Sequence, residues 1–489
     1  MNDFLGWVFI SLPWTIALVL GIAAPIAVWI TYRAITWLGE RYVIPVLVCI
    51  IGLYPALYAI LTPRILTKDE KYFSDTALTA GAYSIWFARG LTVVIVVIAL
   101  ASIIPALVRS DAFRRPGRSL WYGYLAYFIL SFVFSAVGAT EPVFKHQLLY
   151  PLLIFATVFL VSPPSPADFL KVVKRVLLLI IYASAVAAVV APGWALYDDV
   201  WAIFPDIPRL FGVTSHPNVL GPLVALYLVI ELFRPANHWL LVPNAMVSVA
   251  VLFLTQSKTS WGIVLLALMV WFAVRLWRGI GLGLSGDQTW QRALFGAFAA
   301  GGFALVAAFA AFVAGAFDRF HLDDLELEGL TTLTGRTTIW NITLDVWLDN
   351  PLFGYGQELW GDAFRAKHRL LFAGQAHNQL IQTLGESGII GAAGLLIYFW
   401  VLTSLSIRHA RATNGLTASL FLMLILRSIT ETPLQNTVLF DGSFFMHLVM
   451  FGYLMALEKQ SALDKSGLAD KGGSKVRGAP GWARSSANS

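Results

Sequence analysis

Long apolar runs separated by short polar connectors fill almost the whole chain. A helix needs about 20 predominantly apolar residues to cross a bilayer, and about thirteen runs come near that length. They lie near 7–31, 42–62, 85–108, 119–138, 146–162, 171–192, 217–233, 239–255, 259–277, 292–317, 387–406, 416–434 and 440–457. The pattern predicts an all-α, polytopic transmembrane helix bundle of about 13 spans. The longest polar interval, 318–376, is far longer than the two to eight residues usual between bundle helices, and loops of that length tend to carry function. Within it, Ile339, Ile342, Val346 and Trp347 fall at helical spacing and are stopped by Asn350-Pro351, Gly354 and Gly356, which predicts a short amphipathic helix. A second short helix is expected in "ELWGDAFRAKHRLLF", with Leu359, Ala363, Ala366 and Leu370 on one side and Arg365, Lys367, His368 and Arg369 elsewhere. Such a loop would lie as a lid over one end of the bundle.

Composition agrees with a membrane solvent: 58% of the 489 residues are hydrophobic and 13% charged, where soluble domains carry roughly a quarter charged residues. The first run lacks a basic n-region and a small-residue cleavage site, so it is expected to stay in the mature chain. Charge then orients the bundle. Connectors near 109–118, 171–175, 275–292 and 407–415 are basic, as is the segment after 458, whereas 193–216 and 318–376 are acidic. Basic connectors face the cytoplasm under the positive-inside rule, which puts the loop 318–376 and the N-terminus outside and the C-terminus inside. The net charge of +6 therefore reads as topology and not as nucleic-acid affinity. Cys49 is the single cysteine, which excludes intramolecular disulfides and thiolate metal clusters. Three regions follow: N-terminal transmembrane helices over 1–200, a core over 201–457 that includes the loop 318–376, and a tail over 458–489 too poor in apolar residues to fold.

The stretch "AHNQLIQTLGESGIIG", 376–391, carries His377, Asn378, Gln379, Gln382 and Glu386 on the threshold of an apolar run. Read as a helix from 377, it sets His377, Ile381, Leu384, Gly388 and Gly391 on one face and Gln379, Gln382 and Glu386 on another, so His377 and Glu386 should not touch. A histidine in the first turn meets the positive end of the helix dipole, which favours the neutral ring that can accept a proton. Gly388, Gly391 and Gly394 recur at intervals of three and would let neighbouring helices approach closely.

These residues carry a resemblance. His377-Asn378, nine residues, Gly388, two residues and Gly391 resemble the pattern that ends the outer loop of O-antigen ligases and of O-antigen or exopolysaccharide polymerases. "RLFGVTSHPNVLG" (209–221) is similar to that family's Arg-x-x-Gly…Pro-Asn-x-x-Gly segment, and "TGR…W…PLFGYG" (334–356) to the start of its catalytic loop. The resemblance covers roughly 205–457. It implies a glycosyltransferase of the bacterial inner membrane, its site facing the periplasm, that moves a glycan from undecaprenyl pyrophosphate to a sugar hydroxyl without metal or other cofactor. The implied partners are that donor, a glycan acceptor, membrane lipids, a flippase, and chain-length or export proteins.

The implied chemistry makes two demands. A leaving pyrophosphate calls for fixed cations, for which Arg209, Arg336 and Lys258 are the candidates; Lys258 stands in "SKTSW" where the family usually shows arginine, and so offers a point charge in place of a planar fork. An attacking hydroxyl calls for a base, for which His377 is the candidate. Asn378, Arg427 and Glu431 are supporting candidates; Arg427 and Glu431, four apart in an apolar run, are costly in lipid unless paired or facing a cavity. His216 and Asn218 flank Pro217 and are expected to shape the start of the next helix. The run "DDLELE" (323–328) lacks the ligand spacing of a calcium loop and reads as a solvated face. No phosphate-binding Gly-rich loop, no Asp-x-Asp pair and no Gly-x-Ser-x-Gly elbow occurs, which argues against nucleotide-dependent chemistry. A lipid-linked oligosaccharide flippase or other transporter is the alternative class; it would favour polar or broken helices at the midplane in two related halves, and no internal repeat is seen. Within the family, the Thr-Gly-Arg-Thr…Trp opening looks more like exopolysaccharide polymerases than like ligases that cap the lipid A core.

Overall fold

The computed structural model describes residues 23–62, 82–108, 115–143, 145–161, 163–198, 204, 206–236, 239–281, 333–370, 373–435 and 442–467. The expected run 292–317, the first part of 7–31, the acidic run 323–328 and the segment after 467 lie outside them. Residues 23–38 are helical. The main helices that follow are α1 Val43–Leu61, α2 Ala82–Val108, α3 Arg118–Phe128, α4 Leu149–Val161, α5 Pro166–Val190, α6 Pro217–Phe233, α7 Leu241–Thr255, α8 Lys258–Gly281, α9 Leu333–Asp349, α10 Asp362–Lys367, α11 Gln379–Ala410, α12 Leu416–Thr430 and α13 Gly442–Lys465. Two two-residue strands, β1 Leu196–Tyr197 and β2 Arg209–Leu210, pair antiparallel between α5 and α6. Among the described residues, six helices are long and apolar enough to cross a membrane, and four shorter apolar helices accompany them. The apolar runs within the described residues thus appear as helices near the expected bounds. α13 passes the expected end of its run and continues to Lys465, so part of the stretch assigned to an unfolded tail is helical.

Capping chemistry explains several starts. Ser165 accepts from the backbone of Asp168 ahead of α5, with Pro166 at the first position, the usual use of a hydroxyl cap and a residue with no N–H to lose. His216 does the same for α6: its Nδ1 accepts from Asn218 N at 3.0 Å, followed by Pro217. His216 therefore shapes that turn, as expected.

α13 is the axis of the bundle. Every residue from Gly442 to Leu457 is buried. Close approach to it needs glycine: a Cβ on Gly52 of α1 would meet Phe445 at 2.6 Å, and one on Gly452 would meet Phe169 of α5 at 2.6 Å. Tyr124, Phe155 and Tyr398 pack around His447, whose Nε2 lies 2.6 Å from the Tyr398 hydroxyl, and Tyr127 and Phe451 pack in turn on Tyr398 and Phe155. α3 does not run on as one regular span to residue 138. A π-helical turn over Ile129–Val133 interrupts it and leaves the Ser131 carbonyl to accept from Ser387 Oγ and Gln357 Nε2; such turns are one way a helix frees a backbone acceptor.

The described part of the long connector before α11 packs on the bundle as a small second core of Ile339, Leu359, Trp360, Phe364, Leu370, Ala373 and Ala376. α9 matches the expected amphipathic helix and packs on α11, with Thr343 Cγ2 against Gly385. α10 is shorter than expected, and its inward residue is Phe364; Ala363 and Ala366 are exposed. Its six residues include only Ala363 and Ala366 of the expected stripe, while Leu359 and Leu370 lie beyond its ends and are buried.

Candidate active site

α11 begins later and less simply than its sequence pattern suggests. Asn378 is its cap, accepting from Leu380 N and Ile381 N at 3.0 and 3.1 Å. His377 therefore stands before the helix and not in its first turn. Its φ of +51° lies in the left-handed region, which costs a non-glycine residue about 1–2 kcal/mol. The residue before it is held twice: Ala376 N donates to Gln382 Oε1 at 2.6 Å, and Trp340 Nε1 donates to Ala376 O at 2.7 Å. The cluster of amides entering the apolar run is thereby explained. Gln382 also donates to Glu386 Oε1 at 2.8 Å, and Gln379 Oε1 accepts from Leu434 N at 2.8 Å. These side chains fasten the turn that carries the histidine, and Glu386 stays away from His377, as the face argument predicts.

The reading of one regular helix from 377 onward is corrected at Gly388. There φ is +62° and ψ −160°, and the loop 350–356 inserts its backbone into the break. Ile389 N donates to Pro351 O at 2.9 Å and Tyr355 N to Gly385 O at 2.7 Å. A Cβ on Gly388 would lie 2.3 Å from the Leu352 carbonyl. Gly391 and Gly394 serve as expected, against Ser131 and Leu130 of the neighbouring π turn.

The ring of His377 meets a carboxylate that comes from far along the chain. Its Nδ1 lies 2.8 Å from Glu431 Oε2, with the histidine side chain 23% exposed and the glutamate 10%. A carboxylate can only accept, so Nδ1 carries the hydrogen and Nε2 is left as the basic nitrogen of the neutral ring. The orientation of the histidine is thus set by Glu431 and not by a helix dipole. Gln375 Nε2 donates to the same carboxylate oxygen at 2.8 Å, and Thr432 Oγ1 donates to Gln375 Oε1. Burial alone would push the Glu431 carboxyl up. The charge of His377 when its ring is protonated and its hydrogen bond, with Arg427 and Arg336 behind them, outweigh it and hold the group at about 2.

Arg427 and Glu431 do not pair with each other. α12 ends at Thr430, Glu431 is extended at φ −152° and ψ −175°, and its carboxylate turns to His377, Gln375 and Arg336. Arg427 instead donates to Ser443 Oγ at 3.2 Å within the bundle. Arg336, on α9, places Nη2 3.6 Å from Glu431 Oε1 and donates from Nη1 to Thr430 O at 3.1 Å. Asn378 Nδ2 donates to Ile429 O at 3.3 Å, so the starts of α9 and α11 both fasten onto the end of α12.

The other two cations lie alongside. Lys258 is exposed at the first position of α8, and its neighbour Thr259 reaches Thr430 Oγ1 at 3.5 Å. Arg209 on β2 donates from Nε to Thr255 O at 3.1 Å and from Nη2 to Asn218 Oδ1 at 3.3 Å. Gln256 pins the 204–207 turn to the same corner, donating to Ile207 O at 2.7 Å. His377, Glu431 and Arg336 are therefore in one contact network. Lys258 and Arg209 join it through Thr259, Thr430 and the corner between α7 and α8, with no direct contact to the histidine. Gln375, Thr432 and Trp340 have no counterpart among the candidates read from the sequence; a glutamine two residues from the histidine is the one local signal that was there to be used. Among the described residues no group of three or more His, Cys, Asp or Glu side chains is placed to hold a metal ion.

No curated protein matches the chain. A family model does: residues 243–396 match the O-antigen ligase family (Wzy_C). The matched segment runs from α7 through α8, α9 and α10 into α11 and contains Lys258, Arg336, His377 and Asn378; Arg209, Arg427 and Glu431 fall outside it. The chain is thus helical, with several helices apolar enough to cross a membrane, and its segment 243–396 is similar to a family of enzymes acting on glycans, which supports an assignment to the O-antigen ligase and polymerase family.

Proposed function

We propose that the protein joins polyprenyl-pyrophosphate-linked glycan units at the outer face of the bacterial inner membrane, as an exopolysaccharide or O-antigen polymerase. The observation that carries this reading is the His377–Glu431 contact beside Arg336 where α9, the start of α11 and the end of α12 meet. In the reaction, the acceptor hydroxyl oxygen attacks the anomeric carbon of the donor glycan. The bond from that carbon to the pyrophosphate oxygen breaks, and the leaving polyprenyl pyrophosphate keeps the electron pair. His377 Nε2 takes the hydroxyl proton, and the Glu431 carboxylate stabilises the imidazolium that results. Arg336, Lys258 and Arg209 supply positive charge to the leaving group, the arginines through their planar forks. Asn378 holds the turn and Arg427 braces α12, both without touching substrate. The loop 318–376 is outside and the basic connectors are cytoplasmic. The reaction draws on no metal.

A ligase would pass the glycan to the lipid A core; the polymerase reading rests on the Thr334-Gly335-Arg336-Thr337 opening of α9. Purified protein supplied with donor lipid in EDTA should release polyprenyl pyrophosphate and lengthen the glycan when the only acceptor is a second lipid-linked unit. Transfer to lipid A core alone would make it a ligase. No release with either acceptor would remove the transferase reading.

A further inference from the structure

At the end of the bundle remote from His377, a cavity of about 760 Å³ opens between α5, α6, α7 and α13. α6 connects the two ends: from Asn218, beside Arg209, to Arg234, on the rim of the cavity, the helical rise is about 24 Å. That is close to the roughly 30 Å hydrocarbon thickness of a bilayer, so this rim sits at the level of lipid head groups on the opposite face.

Its lining has two chemistries. Leu170, Leu178 and Leu457 furnish apolar wall, and Lys171, Lys174, Arg175 and Arg234 furnish charge against one carboxylate, Glu231. Glu231 is already committed. Its Oε2 accepts from Lys174 Nζ at 2.8 Å and its Oε1 from Ala236 N at 2.6 Å, which ties the end of α6 to α5. Lys174 is equally tied, with Arg234 O at 2.9 Å. Lys171 and Arg175 are different. They stand four apart on one face of α5, a like-charge spacing that destabilises a helix, and both are exposed. Lys171 has a surface contact with Asp168 at 2.9 Å, with both side chains more than half exposed, and such a pair is weak. Arg234 spends Nη2 on Ala412 O at 3.0 Å. The neighbouring face of α5 is lipid-like: Leu179 is 57% exposed and Val186 57%.

We propose that this cavity binds an anionic phospholipid, with its phosphate held by Lys171, Arg175 and Arg234 and an acyl chain along the leucine walls. The like-charge spacing on α5 is then balanced by the bound phosphate. A free phosphate ion would satisfy the cations and leave the apolar wall uncovered; a zwitterionic lipid would cover the wall and bring no net charge. Neither complements both halves of the cavity. This inference is independent of the proposed transfer reaction, because none of its residues belongs to the His377 network.

The test is native mass spectrometry of the full-length, delipidated protein titrated with phosphatidylglycerol or phosphatidylcholine, with and without excess inorganic phosphate. Wild type should retain phosphatidylglycerol at least tenfold more strongly than phosphatidylcholine, and excess phosphate should not displace it. Lys171→Gln with Arg175→Gln should weaken phosphatidylglycerol by about tenfold or more, since each cation near a charged surface is worth roughly fivefold, and leave phosphatidylcholine unchanged. Equal retention of the two lipids by wild type, displacement by phosphate, or phosphatidylglycerol binding unchanged in the double variant would each overturn the proposal. The comparison of lipids on wild type stands even if the double variant folds poorly.

Discussion

Replacing Glu431 with glutamine keeps the side-chain shape and removes the charge beside His377. In the native protein the carboxylate accepts from His377 Nδ1 and Gln375 Nε2 at 2.8 Å each and faces Arg336 at 3.6 Å. An amide has a single acceptor oxygen, so Glu431→Gln can satisfy the histidine or the arginine but not both. With the oxygen kept on His377 the tautomer survives, and the imidazolium formed on proton uptake loses its counter-ion. A hydrogen bond to a charged group contributes about 1.5–3 kcal/mol, and each 1.36 kcal/mol is tenfold in rate, so turnover should fall by about 10- to 150-fold. The assay is the initial rate of polyprenyl pyrophosphate release, with donor binding measured separately and expected to change little. The pH dependence separates charge from shape. Because the Glu431 carboxyl is held at about 2 in the folded protein, below its ordinary 4.5, its contribution to stability is complete above 4.5 and is lost as pH falls from there towards about 2. The glutamine variant should lack that acid-dependent loss. Turnover of Glu431→Gln within about twofold of wild type would refute the counter-ion argument.

Other outcomes follow from particular contacts. Gly388→Ala should leave little folded protein by detergent-resistant size-exclusion, because its Cβ would sit 2.3 Å from the Leu352 backbone at a φ that alone costs about 1–2 kcal/mol; normal yield would show that the break at Gly388 closes freely. Arg336→Ala should weaken donor binding as well as rate, with Arg336→Lys restoring only part, since a point charge lacks the fork; full rescue by lysine would make Arg336 a plain counter-charge. In a Cys49→Ser background, Asp111→Cys, Asp287→Cys and Asp470→Cys should resist an impermeant thiol reagent in intact cells while Asp324→Cys labels, and labelling at 287 would invert the proposed orientation.

Much of the bundle is legible in the sequence because burial in lipid leaves a one-dimensional record: a run of about 20 apolar residues is visible without knowing what it packs against. α9 and its stop at Asn350-Pro351 are legible for a similar reason, since helical spacing and proline act locally. The cap at His216 is likewise local. The site is harder. His377 is identifiable from its spacing to Gly388 and Gly391, but its backbone conformation is not, because the left-handed φ is enforced by Gln382 from within α11 and by Trp340 from α9. Glu431 is visible as an unusual charge, yet its partner is chosen by where α12 ends, and helix ends are the least certain feature of a periodic pattern. The sequence offers Arg427, four residues away, as one partner and a cavity as the alternative; the fold pairs it with a histidine 54 residues earlier. The break at Gly388 is hidden for the same reason: a glycine between apolar residues reads equally as close packing or as a left-handed turn, and only the inserted 350–356 backbone decides.

The account rests on His377 as the base, and one measurement tests that most directly. His377→Ala should lower turnover by about 10²–10⁴-fold, the usual share of general base catalysis, while the protein remains folded and binds donor lipid with near-native affinity. An alanine variant that turns over at close to the wild-type rate at neutral pH would make His377 a structural residue and contradict the mechanism.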